Sequence, residues 1–392
     1  MNDDLLGARL ELTVGAPAHG GHCVSRVDGQ VVFVRHALPG ERVVAVVTED
    51  RTSYLRADAV EVLEASPDRV PPPCPYAGPD RCGGCDLQHA SAGAQLAWKA
   101  AVVREQLARL AGLPDFPVRV DALPGGLLGW RSRVRYAVSA ADRAGLLKHR
   151  SHEVVPIDRC RIAHPAIQAL DVTARLWSAV SSVEVVASSA GDVTVLAGDV
   201  VSGPAVVRER AVGREWTLDA AGFWQVHPGA ADALAGAVLS LLDPAAGENA
   251  WDLYGGAGLF AAVLAERVGP QGTVTVVESD PHNVAAARRN LADLEAVRVV
   301  PGRVERAIRR LPVPDVVVLD PPRTGAGATV VRDLVAAAPR AIAYVACDPA
   351  AFARDVGTFG TLGWRLARLR GYDLFPMTHH IELVGLLVPD TG

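Results

Sequence analysis

The sequence has no apolar run of membrane-spanning length, and its first residues, MNDDLLGARL, are acidic where a secretory signal would be basic. A membrane-bound or exported protein is therefore not expected, and the chain is placed in the cytoplasm. Cysteine is scarce, with six residues in 392. In a reducing compartment such thiols serve as metal ligands or catalysts rather than disulfides. Positive charge is not in excess either, since the formal net charge is -5. That excludes a protein that coats nucleic acid by bulk attraction, but it leaves room for a local basic groove. The composition is not that of a disordered chain, with 49% hydrophobic and 21% charged residues. A chain of this length holds two or three domains and can bury a core.

Residues 1–62 alternate short apolar strands with glycine turns. Leu10–Val14, Val31–Val34 and Arg42–Val47 are the strands, and Gly20–Gly21, Asp28–Gly29 and Pro39–Gly40 punctuate them. A small β-barrel is expected. The run APAHGGHCVSR, followed by a strand and by ALPGERV, resembles the TRAM domain, an OB-like barrel found on RNA-modifying enzymes.

Residues 63–221 read as a central α+β domain. It opens with a proline-rich boundary and then PCPYAGPDRCGGCDLQH. Cys74, Cys82 and Cys85 cluster there, and Cys160 follows much later in VVPIDRCRIAHP. Thiols among prolines and glycines, without helical periodicity, read as a metal site. A Cys₄ zinc site usually has two close pairs. One close pair with two outliers is the three-plus-one pattern of iron–sulfur ligation, and a 4Fe-4S cluster is the expected cofactor. Cys23 is left over and expected to pack in the barrel. Leu96, Val103, Leu107 and Leu110 share one face of a helix that Gly112 and Pro114 end. GWRSRVRYAV then reads as a strand with Arg131, Arg133 and Arg135 on one side. Six Lys or Arg between 131 and 150 stand against one acid, Asp142. A solvated sheet face explains such a run as well as a groove that tracks RNA phosphates does.

Residues 222–392 alternate strand and helix signals, so a doubly wound, Rossmann-like parallel sheet is expected. ENAWDLYGGAGLFA opens it as strand, glycine turn and the helix Leu259–Val268. The turn's Gly255 lets a ligand approach the backbone. GTVTVVESD places Glu278 at the end of the next strand, where an acid takes ribose hydroxyls. The spacing DxxGGxG, rather than GxGxxG, favours S-adenosylmethionine over a dinucleotide. VVVLDPPR caps a buried strand with Asp320. YVACDPA puts Cys347 directly after an apolar strand, on the rim where open α/β sheets bind ligands. A thiol there is a candidate nucleophile, although a lone cysteine is more often a small buried hydrophobe. THHIELVGLL sets Glu382 at the start of a late apolar strand, where a carboxylate is costly to bury without a role.

DLYGGAG, LDPPR, YVACDPA and HHIELV, in that order, resemble the RNA (uracil-5-)-methyltransferase family, and the four cysteines with the TRAM-like start fit its iron–sulfur branch. The resemblance spans nearly the whole chain. It implies a class I adenosylmethionine-dependent enzyme that methylates C5 of a uridine in RNA, with ribosomal RNA expected ahead of transfer RNA. It implies Cys347 as nucleophile and Glu382 as base. Gln225, Tyr254, Glu278 and Asp320 fall on adenosylmethionine-holding positions, and Gly255 and Arg303 complete the set. Three positions depart from the family's pattern: His227 and Asp348 each stand where asparagine is usual, and Arg303 where Asn or Asp is expected. A monomer with no obligate protein partner is expected. Two alternatives are a methyltransferase acting on a substrate other than RNA, and an RNA-binding homologue with an impaired site.

Overall fold

The computed structural model describes residues 5–390. Strands β1 (Arg9–Thr13), β2 (Pro17–Ala18), β3 (His22–Val27), β4 (Gln30–Arg35), β5 (Arg42–Arg51) and β6 (Tyr54–Glu64) form one sheet in the order β1-β5-β6-β4-β3-β2. The sheet curls until the segment after β1 meets β3, where the Gly15 N–H donates to the Val24 carbonyl at 2.8 Å. Alternation along β5 sends Val43, Ala45 and Val47 inward onto Leu12, Val32 and Leu55. Cys23 lies fully buried in this core, as expected.

Helix α1 (Ala92–Ala111) starts where Ser91 Oγ accepts the Ala94 N–H and ends at Gly112 in the left-handed conformation. Its apolar face holds Val103 and Leu107, as the sequence spacing predicts. The same helix also buries Gln95 and Lys99, which apolar periodicity cannot reveal. Strand β7 (Val120–Ala122) follows. A second sheet is built from β8 (Arg133–Val138), β9 (Ala144–Leu147), β10 (Val154–Pro156) and, after the short helix α2 (Pro165–Gln168), β11 (Ser182–Ala187), β12 (Val193–Ala197) and β13 (Val200–Ser202). The hairpin of β14 (Val206–Ala211) and β15 (Arg214–Asp219) then leads to α3 (Ala230–Leu242).

The remaining elements alternate: β16 (Asn249–Leu253), α4 (Leu259–Val268), β17 (Thr273–Glu278), α5 (Pro281–Asn290), β18 (Val297–Pro301), α6 (Val304–Ala307), β19 (Val316–Leu319), α7 (Gly327–Ala337), β20 (Ala341–Ala346), α8 (Pro349–Thr361), β21 (Trp364–Asp373) and β22 (Glu382–Pro389). They make an eight-stranded sheet in the order β18-β17-β16-β19-β20-β22-β21-β7. Strands β16 to β20 are parallel, and β22 runs antiparallel to β20. The doubly wound sheet is therefore present, with a mixed edge.

The expected boundary between 221 and 222 is not respected. Val120–Ala122 pairs with Gly371–Asp373 and joins the large sheet. Ala100, Val103 and Leu107 of α1 share a core with Phe352, Val356 and Phe359 of α8. Val207, Trp216 and Leu218 of the hairpin share another with Leu234, Val238 and Phe260. These unions are long-range, so no local composition shift announces them. Among the described residues no helix is long and apolar enough to cross a membrane.

The loop from Leu374 to Ile381, between β21 and β22, is where the three parts meet. The Asp86 and Leu87 N–H groups donate to the Met377 carbonyl at 3.1 and 2.9 Å, and the Met377 N–H donates to Gln95 Oε1 at 2.7 Å. His379 Nδ1 lies 2.6 Å from Asp86 Oδ2, and Asp86 faces Arg35 of the barrel at 3.6 Å. The cysteine-rich segment thus grips the loop that delivers Glu382.

Candidate active site

A cavity of ≈ 610 Å³ opens at the carboxyl ends of β16, β17, β19 and β20. That is the size of a small-molecule site, at the sheet edge where open α/β folds hold ligands. Its wall includes Gln225, Tyr254, Gly255, Glu278, Asp320, Cys347 and Glu382. All but Gln225, which lies between β15 and α3, are brought there by a strand end. Tyr254 and Gly255 follow β16, and Tyr254 turns the chain with a positive φ of 63°. A Cβ on Gly255 would come within 2.5 Å of Val276 Cγ1, so only glycine lets the turn lie this close to β17. Gly258, at φ 96°, packs under Leu291 and starts α4. Glu278 closes β17 and accepts N–H bonds from Gly256 at 2.9 Å and Asp280 at 2.8 Å. Cys347 follows β20 directly, and Asp348 caps α8 by accepting the Ala351 N–H at 2.8 Å.

Gln225, Asp320, Glu382 and Arg323 face this cavity without a side-chain hydrogen bond or ion pair to the described protein. Polar groups left this way in a concave site are partners for a ligand. Adenosylmethionine, with its amino acid, ribose and adenine, has donors and acceptors for such a set.

Charge in the ligand-free cavity is crowded and negative. Burial, and then the nearby Asp252, push Asp320 up to about 7. Burial also holds Glu382 well above the usual carboxylate range; repulsion from Asp320 adds to this, and Arg323 opposes it. The Cys347 thiol is pushed up to about 11 by burial and by the Glu382 and Asp320 carboxylates, with Arg323 again opposing. Cys347 is therefore mainly a thiol at neutral pH. The thiolate is the form that reacts. Iodoacetamide labelling of Cys347 in the free protein, followed by peptide mapping, is expected to accelerate about tenfold per pH unit between pH 7 and 10. A rate that levels off near pH 8 would contradict this burial argument.

Arg303 does not line this cavity. It lines the neighbouring one along β18. The row Arg131, Arg133 and Arg135 is corrected. Arg133 is only 7% exposed, because the β14–β15 hairpin and the turn after it close over that face. Its Nη1 donates to the Ala220 and Gly222 carbonyls at 2.9 and 2.7 Å, and Nη2 faces Glu209 at 3.5 Å. A buried, compensated guanidinium is structural and offers nothing to a phosphate. Arg135 is exposed and bonds Ser182 Oγ at 3.1 Å. Arg131 is half-buried and lines both the cofactor-sized cavity and the cysteine cavity.

Sequence reasoning overlooked Arg323, Phe375 and the exposed Phe223, which also line the site. Arg323 closes the PPR tripeptide after Asp320 and could have been read there. Phe375 comes from the loop after β21, and nothing local marks it.

Cys74, Cys82, Cys85 and Cys160 are free thiols lining one cavity of ≈ 170 Å³, with Val134, Leu146, Ile157 and Ile162 as its apolar wall. Cys82 is pushed up to about 11 by burial, with Cys160 and Cys74 adding to it, so the thiols feel one another. Among the described residues no group of three or more His, Cys, Asp or Glu is placed to hold a metal ion.

The departures from the family's pattern also have places. Asp348 lies 3.3 Å from His19 of the barrel, so the TRAM-like part touches the residue after Cys347. His227 is buried, stacks on Trp130 at 6.1 Å and accepts the Gly229 N–H at Nδ1.

Three family models match parts of the chain. A model described as TRAM domain matches residues 4–60, one described as precorrin methyltransferase domain matches 231–346, and one described as tRNA (uracil-5-)-methyltransferase matches 311–390. A Streptomyces avermitilis protein named as an uncharacterized RNA methyltransferase is 49% identical over 98% of this chain and 99% of its own. A Corynebacterium efficiens protein of the same description is 37% identical over 97% of this chain and 94% of its own. Among solved structures, a Pyrococcus abyssi tRNA (uracil-54, C5)-methyltransferase in complex with S-adenosyl-L-homocysteine superposes with a TM-score of 0.73. It is 23% identical and covers 97% of this chain and 100% of its own, so the likeness is one of fold.

Proposed function

The chain belongs to the TRAM-bearing RNA (uracil-5-)-methyltransferase family, and from that premise we propose that it methylates uridine C5 in RNA through a covalent bond between Cys347 and C6. The observation that carries this is the meeting of Cys347 and Glu382 in one cavity, at the adjoining ends of the paired strands β20 and β22.

Uracil C5 is a poor nucleophile. Addition of the Cys347 thiolate to C6 pushes the C5–C6 electrons toward O4 and makes C5 an enolate carbon. S-adenosylmethionine, when bound, would supply the methyl group from its sulfonium to C5 and leave as S-adenosylhomocysteine. Glu382 then removes the C5 proton, the C6–S bond breaks, and Cys347 leaves as thiolate. Asp320 and Glu278 sit where the cofactor's polar groups require partners, and Gln225 offers an amide free of protein bonds. The uridine enters flipped out or already single-stranded, because C6 is hidden in a stack. Arg131 and Arg135 remain the members of the basic strand able to meet phosphates. The chain is placed in the cytoplasm and as a monomer.

The test is transfer from methyl-labelled adenosylmethionine to uridine-containing RNA, followed by digestion to nucleosides. The wild type is expected to yield 5-methyluridine. Cys347→Ala is expected to yield none while binding adenosylmethionine normally, and methylation by that variant would refute the covalent route.

The four cysteines line one cavity, and their three-plus-one spacing is the pattern of iron–sulfur ligation rather than of the paired thiolates of zinc, so a 4Fe-4S cluster is proposed there. Ribosomal RNA is proposed ahead of transfer RNA on the four-cysteine pattern alone. The chemistry above moves no single electrons, so the cluster's role is structural. The loop holding Cys85 runs on through Asp86 and Leu87 into the bonds that hold Met377 and His379. Anaerobically purified protein is expected to be brown and to contain iron and acid-labile sulfide. Cys160→Ser is expected to lose both and to melt at lower temperature, since metal binding is coupled to folding. Colourless protein with stoichiometric zinc would contradict the assignment.

A further inference from the structure

The outer edge of the large sheet carries a basic cavity that the proposed chemistry does not use. It has a volume of ≈ 610 Å³ and runs along β18. Arg298, Arg303, Arg306 and Arg310 line it, with Thr275 and Ser279. Residues 298–310 hold five arginines and one acid, Glu305, a local charge of +4 in a chain of -5. The acid is no counter-ion, because Glu305 forms no ion pair with any of these arginines and its charge acts on the Tyr254 hydroxyl on the cofactor side. Arg309 is taken by Asp333 at 3.0 Å and is not part of the cavity. The other four make no ion pair and no side-chain hydrogen bond with the described protein.

A plain structural explanation exists, since β18 is an edge strand and charge on an edge prevents strand pairing. It accounts for Arg298 only. Arg303 precedes α6, Arg306 lies on it, and Arg310 lies in the turn beyond. Gathering four guanidiniums without counter-charge is unfavourable, and no contact in the fold offsets it. Guanidinium forks match phosphate oxygens, and hydroxyls such as those of Thr275 and Ser279 bond them too. The cavity also adjoins the reaction site, for Ser279 follows Glu278 and the Gly302 N–H donates to the Glu278 carbonyl at 2.8 Å.

We infer that this edge is a second RNA-binding surface, which holds backbone phosphates of the same RNA whose uridine occupies the Cys347 cavity. It rests on RNA being the substrate. It lies on the side of the cofactor pocket away from β20 and β22, so it grips a flank of the RNA that the cysteine-side arginines do not reach.

The test is equilibrium binding of a structured, uridine-containing RNA of ribosomal length at several salt concentrations. Arg298→Gln, Arg306→Gln and Arg310→Gln are combined in one variant, and Arg303 is left in place. Each lost phosphate contact removes about 0.7–0.9 from the logarithmic salt slope. From 50 to 200 mM salt, the wild type is therefore expected to lose roughly 20–40-fold more affinity than the variant. Adenosylmethionine affinity and melting temperature are expected to stay at wild-type values. The matching triple Arg→Lys variant keeps the charge and is expected to keep the slope. If the Gln triple does not fold, Arg306→Gln and Arg310→Gln are measured singly, each expected to remove one contact's share. An unchanged slope in folded variants overturns the inference and leaves the edge to solvent or to a protein partner. A wild type that methylates no RNA would instead refute the substrate reading, so the two failures are distinguishable.

Discussion

Glu382→Gln is expected to leave methylated RNA bonded to the protein and to lower turnover by about 10²–10⁴-fold, the usual contribution of a general base. The amide has the shape of the carboxyl group and cannot take the C5 proton. Thiolate addition and methyl transfer precede that step, so they proceed, and elimination stalls with C5 still carrying its hydrogen. The fold has little reason to object. Glu382 is 4% exposed, and burial disfavours its charged form, so a neutral amide of the same shape is not a harsher occupant of the site. The complex is expected to survive denaturing electrophoresis, and Cys347→Ala on the same background is expected to abolish it.

Lys99→Met is expected to cost about 3–5 kcal/mol of stability, the effect of stripping one partner from a buried ion pair. Lys99 Nζ lies 2.5 Å from Asp373 Oδ1, and their side chains are 0% and 2% exposed. The ammonium also donates to the Phe375 carbonyl at 3.1 Å. Without it the Asp373 carboxylate stays buried beside no cation. The pair ties α1 to the end of β21, and Phe375 of the cavity wall is two residues further on. Denaturant midpoints of Lys99→Met, Asp373→Leu and the double variant measure the coupling. A loss below about 1 kcal/mol would mean that the pair behaves like an exposed one.

How much could be read from the chain alone follows from how local each signal is. Helix α4 was bounded at Leu259–Val268 by a glycine turn and by apolar periodicity, and it runs over those residues. Cys347 and Glu382 were legible because each abuts a continuous apolar strand, and strand ends in a parallel sheet share one rim. Arg133 was misread because strand alternation says which face a residue takes, not what covers that face. The hairpin that buries it lies some seventy residues onward, and Glu209 is its partner. Val120–Ala122 joined the large sheet for the same kind of reason: a three-residue strand has no signature until Gly371–Asp373 pairs with it. Arg303 sits one turn beyond Glu278's strand pair, close to the cofactor cavity but outside it. Its neighbours along the chain could not separate those two positions.

The covalent route is the central claim, and the most direct measurement is the chemical identity of the trapped complex. The Glu382→Gln adduct is digested with nuclease and protease, and the linked peptide is sequenced by tandem mass spectrometry. The account predicts one uridine, bearing the transferred methyl group, on the sulfur of Cys347. An adduct on any other residue, or normal turnover by Glu382→Gln with no adduct, would contradict it.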